Sequence, residues 1–171
     1  DIIVEVTDID DNENSAPIFT SSPTFIVNEN QGVIGLVTAM DADGDSLVYS
    51  LSGSDASLIS INSASGVLTF NIAPDYETKT SYSATVTATD GTSSSTQDIT
   101  VNVTNLNDNS PVFTSSEIFS AAENQTSIGT VTATDADGDA LIYSISGSDS
   151  SSMSIDSSSG VLTFVSAPDY E

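Results

Sequence analysis

The chain has no cysteine, no histidine and no tryptophan, and only one of its 171 residues, Lys79, is basic. Each absence closes a line of chemistry. Without cysteine there is no disulfide framework and no thiol redox centre. Without histidine as well, Ser-His-Asp or Cys-His catalysis and ordinary zinc sites are excluded, and soft metals with them. The lack of cysteine suits a cytosolic or an extracellular home equally. One lysine against 25 acids gives a formal net charge of −24, which a phosphate backbone repels, so nucleic acid is not expected as a partner. No apolar run approaches the roughly 18 residues of a membrane helix, and no leader pattern opens the chain, which reads as soluble. Nothing in this inventory points to an enzyme.

Serine and threonine are abundant, 52 of 171 residues, and high charge with low hydrophobicity keeps chains unfolded. Here, however, hydrophobic residues make up 37%. They fall in short clustered or alternating runs, such as Val33-Ile34-Gly35-Leu36-Val37 and Leu47-Val48-Tyr49-Ser50-Leu51, which are strand patterns.

An internal repeat organises the chain. A shift of 94 residues lays Pro17–Glu77 onto Pro111–Glu171 without a gap, with 41 of 61 positions identical. Upstream, DIIVEVTDIDDN at 1–12 matches DITVNVTNLNDN at 98–109. The expected organisation is the last strand and linker of a preceding repeat (1–11), a complete repeat (12–104), a linker (105–109) and an incomplete repeat (110–171). The chain reads as a piece of a longer array.

Strand signals recur every 8 to 14 residues with turn residues between them, the spacing of a seven-stranded β-sandwich. The predicted strands are 23–28, 33–40, 47–52, 58–62, 66–71, 81–89 and 96–104. Alternation is clearest late in the repeat. Tyr82, Ala84, Val86 and Ala88 share one face, as do Ile99, Val101 and Val103. Helical periodicity is weak and the runs are rich in β-branched residues, so the fold class is all-β.

The acids cluster at predicted strand ends. The groups are Asp8-Ile9-Asp10-Asp11-Asn12, Asp41-Ala42-Asp43-Gly44-Asp45, Asp75-Tyr76-Glu77, Asn107-Asp108-Asn109, Asp135-Ala136-Asp137-Gly138-Asp139 and Asp169-Tyr170-Glu171, with Glu29 and Glu123 as lone acids. Two carboxylates about 5 Å apart repel by roughly 3 kcal/mol at an effective dielectric near 20. A single lysine cannot neutralise such groups, so a metal ion is expected. Carboxylate, amide and backbone oxygens are hard ligands, and Ca²⁺ takes 6–8 of them in flexible geometry, whereas Mg²⁺ prefers fewer and keeps its waters. Calcium is favoured. An EF-hand does not fit: the glycine of DADGD comes two places early, position 12 from Asp41 is Ser52, and strands flank the motif.

Taken together, N-E-N or A-E-N after the first strand, D-A-D after the second, D-Y-E before the sixth, A-T-D at 88–90 and N-L-N-D-N-S-P-V-F at the junction resemble the cadherin repeat over essentially the whole chain. The resemblance implies tandem Greek-key, immunoglobulin-like seven-stranded β-sandwiches with calcium at each junction. The implied ligands at the central junction are Glu29, Asp75 and Glu77, then Asn107, Asp108 and Asn109, then Asp135 and Asp137. Upstream, Asp10, Asp11 and Asn12 would join Asp41, Asp43 and Asp90. At the far end, Glu123, Asp169 and Glu171 would serve a further linker. Asp45 and Asp139 stand where the family carries a longer loop and are added to the metal set. Asn105-Leu106 replaces the family's acid before N-D-N, and the absence of tryptophan means that docking of an N-terminal tryptophan is not carried over.

By resemblance the parent is a cell-surface or secreted adhesion protein, attached to a membrane or surface. Calcium would rigidify its junctions and other cadherin-like repeats would be its homophilic partners. The alternative is a spacer or carbohydrate-binding module of a secreted polysaccharide-active protein or large adhesin, with cell-surface polysaccharide as partner. The acidic composition also suits a bacterial or marine source and a salt-adapted surface. Asp75 and Glu77 are too close in sequence to straddle a sugar ring as a glycosidase pair. Tyr49, Tyr76, Tyr143 and Tyr170 read as core or site support rather than a sugar platform, and Phe19, Phe25 and Phe70 as core. Asn102 and Asn124 lie in N-x-T sequons.

Overall fold

Alternating side chains settle the two longest strands. Tyr82, Ala84, Val86 and Ala88 are buried at every second position of one strand, and Ile99, Val101 and Val103 in the next. A strand puts successive residues on opposite faces, so each contributes one apolar row to a core. The computed structural model describes residues 13–171, which divide into two units. The first ends at Asn105 and the second runs from Leu106 to Glu171.

The first unit contains β1 (Ile18–Phe19), β2 (Thr24–Asn28), β3 (Val33–Leu36), β4 (Ala39–Met40), β5 (Val48–Ser52), β6 (Ile59–Ile61), β7 (Val67–Phe70), β8 (Ser81–Thr89) and β9 (Ser94–Thr104). They form a four-stranded sheet in the order β2-β9-β8-β5, a three-stranded sheet β3-β7-β6 and the pair β1-β4. All pairings are antiparallel except β2 with β9, which run parallel from Thr24↔Thr100 to Asn28↔Thr104. The inward faces of the two larger sheets meet around Leu68, Val86 and Val101, each 0% exposed. Burying each such side chain contributes about 1.5–3 kcal/mol. Phe70 and Tyr82 join the sheets edge to face, with ring centroids 4.9 Å apart.

The predicted strand 33–40 is two strands, because its partner changes midway. Residues 33–36 pair with β7 and residues 39–40 with β1. Between them Val37 N–H donates to Gly66 O at 3.0 Å, and Thr20 N–H donates to Thr38 O at 2.8 Å. Gly66 makes that crossing possible: its φ is +73° and a Cβ there would meet Val37 O at 2.2 Å, so only glycine fits. β1 was not predicted, and β9 begins two residues before the predicted 96.

The second unit contains β10 (Val112–Phe113), β11 (Ser127–Thr130), β12 (Ala133–Thr134), β13 (Met153–Ile155) and β14 (Val161–Phe164), with a 3₁₀ turn at Ser150–Ser152. Sheets β11-β14-β13 and β10-β12 reproduce β3-β7-β6 and β1-β4. Residues 118–122 and 142–146, the copies of β2 and β5, are not strands. In the first unit β2 pairs only with β9 and β5 only with β8, and the alignment of the copies stops at Glu77 with Glu171, before those partners. An apolar groove of about 630 Å³ is lined by Phe113, Val131, Leu141, Tyr143, Ile145 and Leu162. Phe113, the copy of the packed Phe19, is 70% exposed.

Candidate metal centre

In the first unit the parallel pairing of β2 with β9 decides where the acids gather. Because both strands run the same way, Glu29, just past β2, lies where β9 ends, and its N–H donates to Thr104 O at 3.1 Å. The turn 75–79 leads into β8 at the same end. Lys79 N–H donates to Asp75 O at 2.9 Å. Glu29 is 1% exposed, and its Oε2 accepts the Tyr76 N–H at 2.9 Å. Carboxylate oxygens of Glu29 and Glu77 lie within 4.8 Å of each other. Asp75 uses Oδ1 for the Thr78 N–H (3.2 Å) and Oδ2 for the Thr78 hydroxyl (2.9 Å). The Thr78 hydroxyl, ahead of the backbone donors, holds its carboxyl below the ordinary 3.8.

At the opposite end, roughly 26 Å away by the rise of β8, Asp41, Asp43, Asp45 and Asp90 gather around the incoming chain. Asp41 Oδ1 accepts the N–H groups of Asp43 (2.9 Å) and Asp45 (3.3 Å), an Asx-type turn completed by Gly44 at φ +82°. Asp41 Oδ2 is buried and has no hydrogen-bond partner among the described residues. Asp43 Oδ2 accepts the Ser15 N–H at 2.7 Å. Asp90 accepts from Thr92 N–H (2.6 Å), Ser93 N–H (2.7 Å) and the Asn14 amide (3.0 Å). The Ser93 N–H, then the Asn14 amide and the Thr92 N–H, hold its carboxyl below 3.8. The expected ligands Asp10, Asp11 and Asn12 lie outside the described residues.

The second unit repeats the arrangement at its own incoming end. Asp137 Oδ2 accepts the Asn109 N–H at 2.8 Å, as Asp43 accepts that of Ser15, and its Oδ1 accepts the Asn109 amide at 3.1 Å. That amide also donates to Asp108 Oδ1 at 2.9 Å. Carboxylate oxygens of Asp108 and Asp137 lie within 4.8 Å. The Asn107 amide donates to Asp139, and Asp135 Oδ1 accepts the Asp139 N–H at 3.3 Å. At the far end of this unit Glu123 Oε2 accepts the Tyr170 N–H at 3.0 Å, and Asp169 Oδ1 accepts the Glu171 N–H at 3.4 Å.

Each of these groups offers hard oxygen donors, the class that suits Ca²⁺. The protein's own cation is engaged elsewhere, since Lys79 Nζ lies 2.5 Å from Asp55 Oδ1. The sequence did not point to Asn14, Ser15, Thr78 or Asp55. For Asn14 and Ser15 a signal existed, because they occupy the positions of Asp108 and Asn109 under the 94-residue shift.

Residues 23–104 match the family described as Cadherin domain. This stretch is a cadherin domain. Similarity to cadherin proteins extends over the rest of the chain: it is 31% identical to protocadherin Fat 4 of Mus musculus over 99% of its length, and 41% identical to protocadherin-11 X-linked of Homo sapiens over 66%. It spans only 4% and 9% of those proteins. Among solved structures, mouse cadherin-23 EC22-24 matches with TM-score 0.79 and 30% identity, covering 94% of this chain and 57% of that one. Human protocadherin-24 EC1-2 matches with TM-score 0.77 and 26% identity, covering 92% and 80%. The all-β sandwich expected from sequence is thus the cadherin ectodomain fold, and the location is extracellular or at the cell surface. These relatives are animal proteins and lend no support to a bacterial or marine source.

Proposed function

We propose that these repeats bind calcium at the junction between one repeat and the next and serve adhesion at the cell surface, with cadherin-like repeats as homophilic partners. The observation that carries the reading is the close approach of like-charged carboxylates that offer hard oxygen ligands. Glu29 with Glu77 at the outgoing end of the first unit, and Asp108 with Asp137 at the incoming end of the second, each hold oxygens within 4.8 Å. Two like charges that close are costly unless a cation sits between them. On this reading Glu29, Asp75 and Glu77 together with Asn107, Asp108, Asn109, Asp135 and Asp137 hold the ions. Asp41, Asp43 and Asp90 serve the preceding junction, and Glu123, Asp169 and Glu171 the following one. Bound calcium supplies positive charge and ties the ends of two repeats to one centre.

The adhesive role draws on the cadherin and protocadherin relatives, none of them named as an enzyme. They give no support to a polysaccharide partner. Of the four tyrosines considered for sugar stacking, Tyr49 is buried, and its hydroxyl oxygen accepts the Ala39 N–H at 3.0 Å. Tyr143 does the same for Ala133 at 3.1 Å, and Tyr170 stands alone at 93% exposed.

The test is calorimetric titration of the chelator-treated chain with CaCl₂, with MgCl₂ and NaCl at matched ionic strength as controls, alongside thermal unfolding in the same solutions. Saturable calcium binding with a rise in melting temperature that NaCl does not reproduce is the expected result. An equal response to NaCl would reduce the acids to a salt-adapted surface and end this reading.

A further inference from the structure

The sequon Asn102-Val103-Thr104 lies within β9, and the strand decides which way it faces. Val101 and Val103 are 0% and 6% exposed and point into the core, so Asn102 and Thr104 point outward, and both are exposed. The outer face around them is built of Thr24, Thr100, Ser81 and Ser83, with one large exception. Ile26, in register with Asn102 across the parallel β2–β9 pair, is 75% exposed. On the other side Ser81, in register on β8, donates its hydroxyl to Asn102 Oδ1 at 3.2 Å. This is an exposed acceptor amide whose oxygen takes the Ser81 hydroxyl, beside an apolar side chain that lacks cover.

We propose that Asn102 carries an N-linked glycan whose first sugar lies over Ile26. The relatives are animal proteins, and animal cells carry out this chemistry on proteins bound for the cell surface. The co-reactant is an oligosaccharide carried on a lipid diphosphate. Asn102 Nδ2 attacks C1 of the reducing-end sugar, an N–C1 bond forms, and the C1–O bond to phosphate breaks. The lipid diphosphate leaves with the electron pair, and the amide gives up one proton. Oδ1 is untouched, so the Ser81 hydrogen bond persists in the glycosylated strand. The sugar closes the outer face of the β2-β9-β8-β5 sheet to protein partners. The outer face of β3-β7-β6, with the paired Leu36 and Val67 at 49% and 37% exposure, stays open for contact.

The experiment is secretion of the full chain, behind a leader, from cultured animal cells. It carries Asn124→Gln so that one N-x-T sequon remains, and intact mass is read before and after peptide N-glycosidase. The expected result is one glycan's worth of added mass, removed by the enzyme with conversion of residue 102 to Asp. Asn102→Gln and Thr104→Ala lose the addition, while Thr104→Ser, which preserves the sequon, retains it. Secretion at the bare polypeptide mass overturns the proposal. So does an addition that survives in both Asn102→Gln and Thr104→Ala.

Discussion

Asp55 Oδ1 lies 2.5 Å from Lys79 Nζ, while its Oδ2 accepts the Ser83 N–H at 2.8 Å. Lys79 also stands 4.9 Å over the Tyr82 ring. The protein's only basic side chain is therefore used to fasten a buried carboxylate to the start of β8. Asp55→Ala should cost about 1–3 kcal/mol, because it strips Lys79 and the Ser83 N–H of their acceptor together. Lys79→Met keeps the stem over Tyr82 but leaves Asp55 unpaired. We expect it to destabilise as well, read by urea unfolding of both variants.

The same pair sets an acid dependence. The Lys79 hydrogen bond, then the Ser83 N–H, hold the Asp55 carboxyl below the ordinary 3.8. A carboxyl lowered on folding stabilises fully above the unfolded value and loses that contribution as pH falls through the folded one. Stability of the native chain should therefore drop below about pH 4, and Asp55→Asn should show a shallower drop over that range. Equal slopes in acid titrations of the two proteins would remove Asp55 from the explanation.

Gly66→Ala should be severe. A Cβ at this position meets Val37 O at 2.2 Å, and φ is +73°, so the β3-to-β4 crossing must shift. A loss of about 2 kcal/mol or more is expected. Gly44→Ala shares a positive φ of +82° but meets no atom within 4 Å, so it should cost less, about 1 kcal/mol. Thermal unfolding of the two variants side by side tests the ranking.

Apolar substitutions should cost much at a covered position and little at an open one. Leu68→Ala removes a side chain that is 0% exposed and should cost about 2–5 kcal/mol. Ile142, on the copy of β5, is 86% exposed, and Ile142→Ala should change stability by no more than about 0.5 kcal/mol. A large loss at Ile142 would mean that this face is covered in solution.

Two glutamates with the same local hydrogen bond should separate in calcium. Glu29→Gln should abolish most of the calcium-dependent gain in stability, which is about 1.4 kcal/mol per site when calcium is at tenfold the dissociation constant. Glu123→Gln should leave the gain in place. Thermal unfolding at matched ionic strength distinguishes them, and equal effects would count against the central junction as the binding site.

These expectations mark how far the sequence was legible. Tyr82, Ala84, Val86 and Ala88 announce β8 because alternation there is complete. β1 is two residues long and carries no periodicity to find. The copies of β2 and β5 show the limit of pattern reading. Residues 142–146 keep the apolar spacing of 48–52 yet form no strand, since a strand needs a neighbour's backbone to bond with. At the candidate site, repetition exposed the recurring acidic groups, and the A-T-D motif pointed to Asp90. It did not tell that Thr78 already engages both oxygens of Asp75, or that Asn14, Thr92 and Ser93 engage Asp90. Those are three-dimensional facts about lone pairs.

The parallel alignment of β2 with β9 bears on load. Tension applied at Asn105 pulls β9 lengthwise along β2 and β8, so the five paired positions of the β2–β9 ladder are strained together in shear instead of parting one after another. Such a ladder resists until several bonds fail at once, which slows forced unfolding. The strand pairing that delivers Glu29 to the end of β9 thus also makes the first unit a shear clamp.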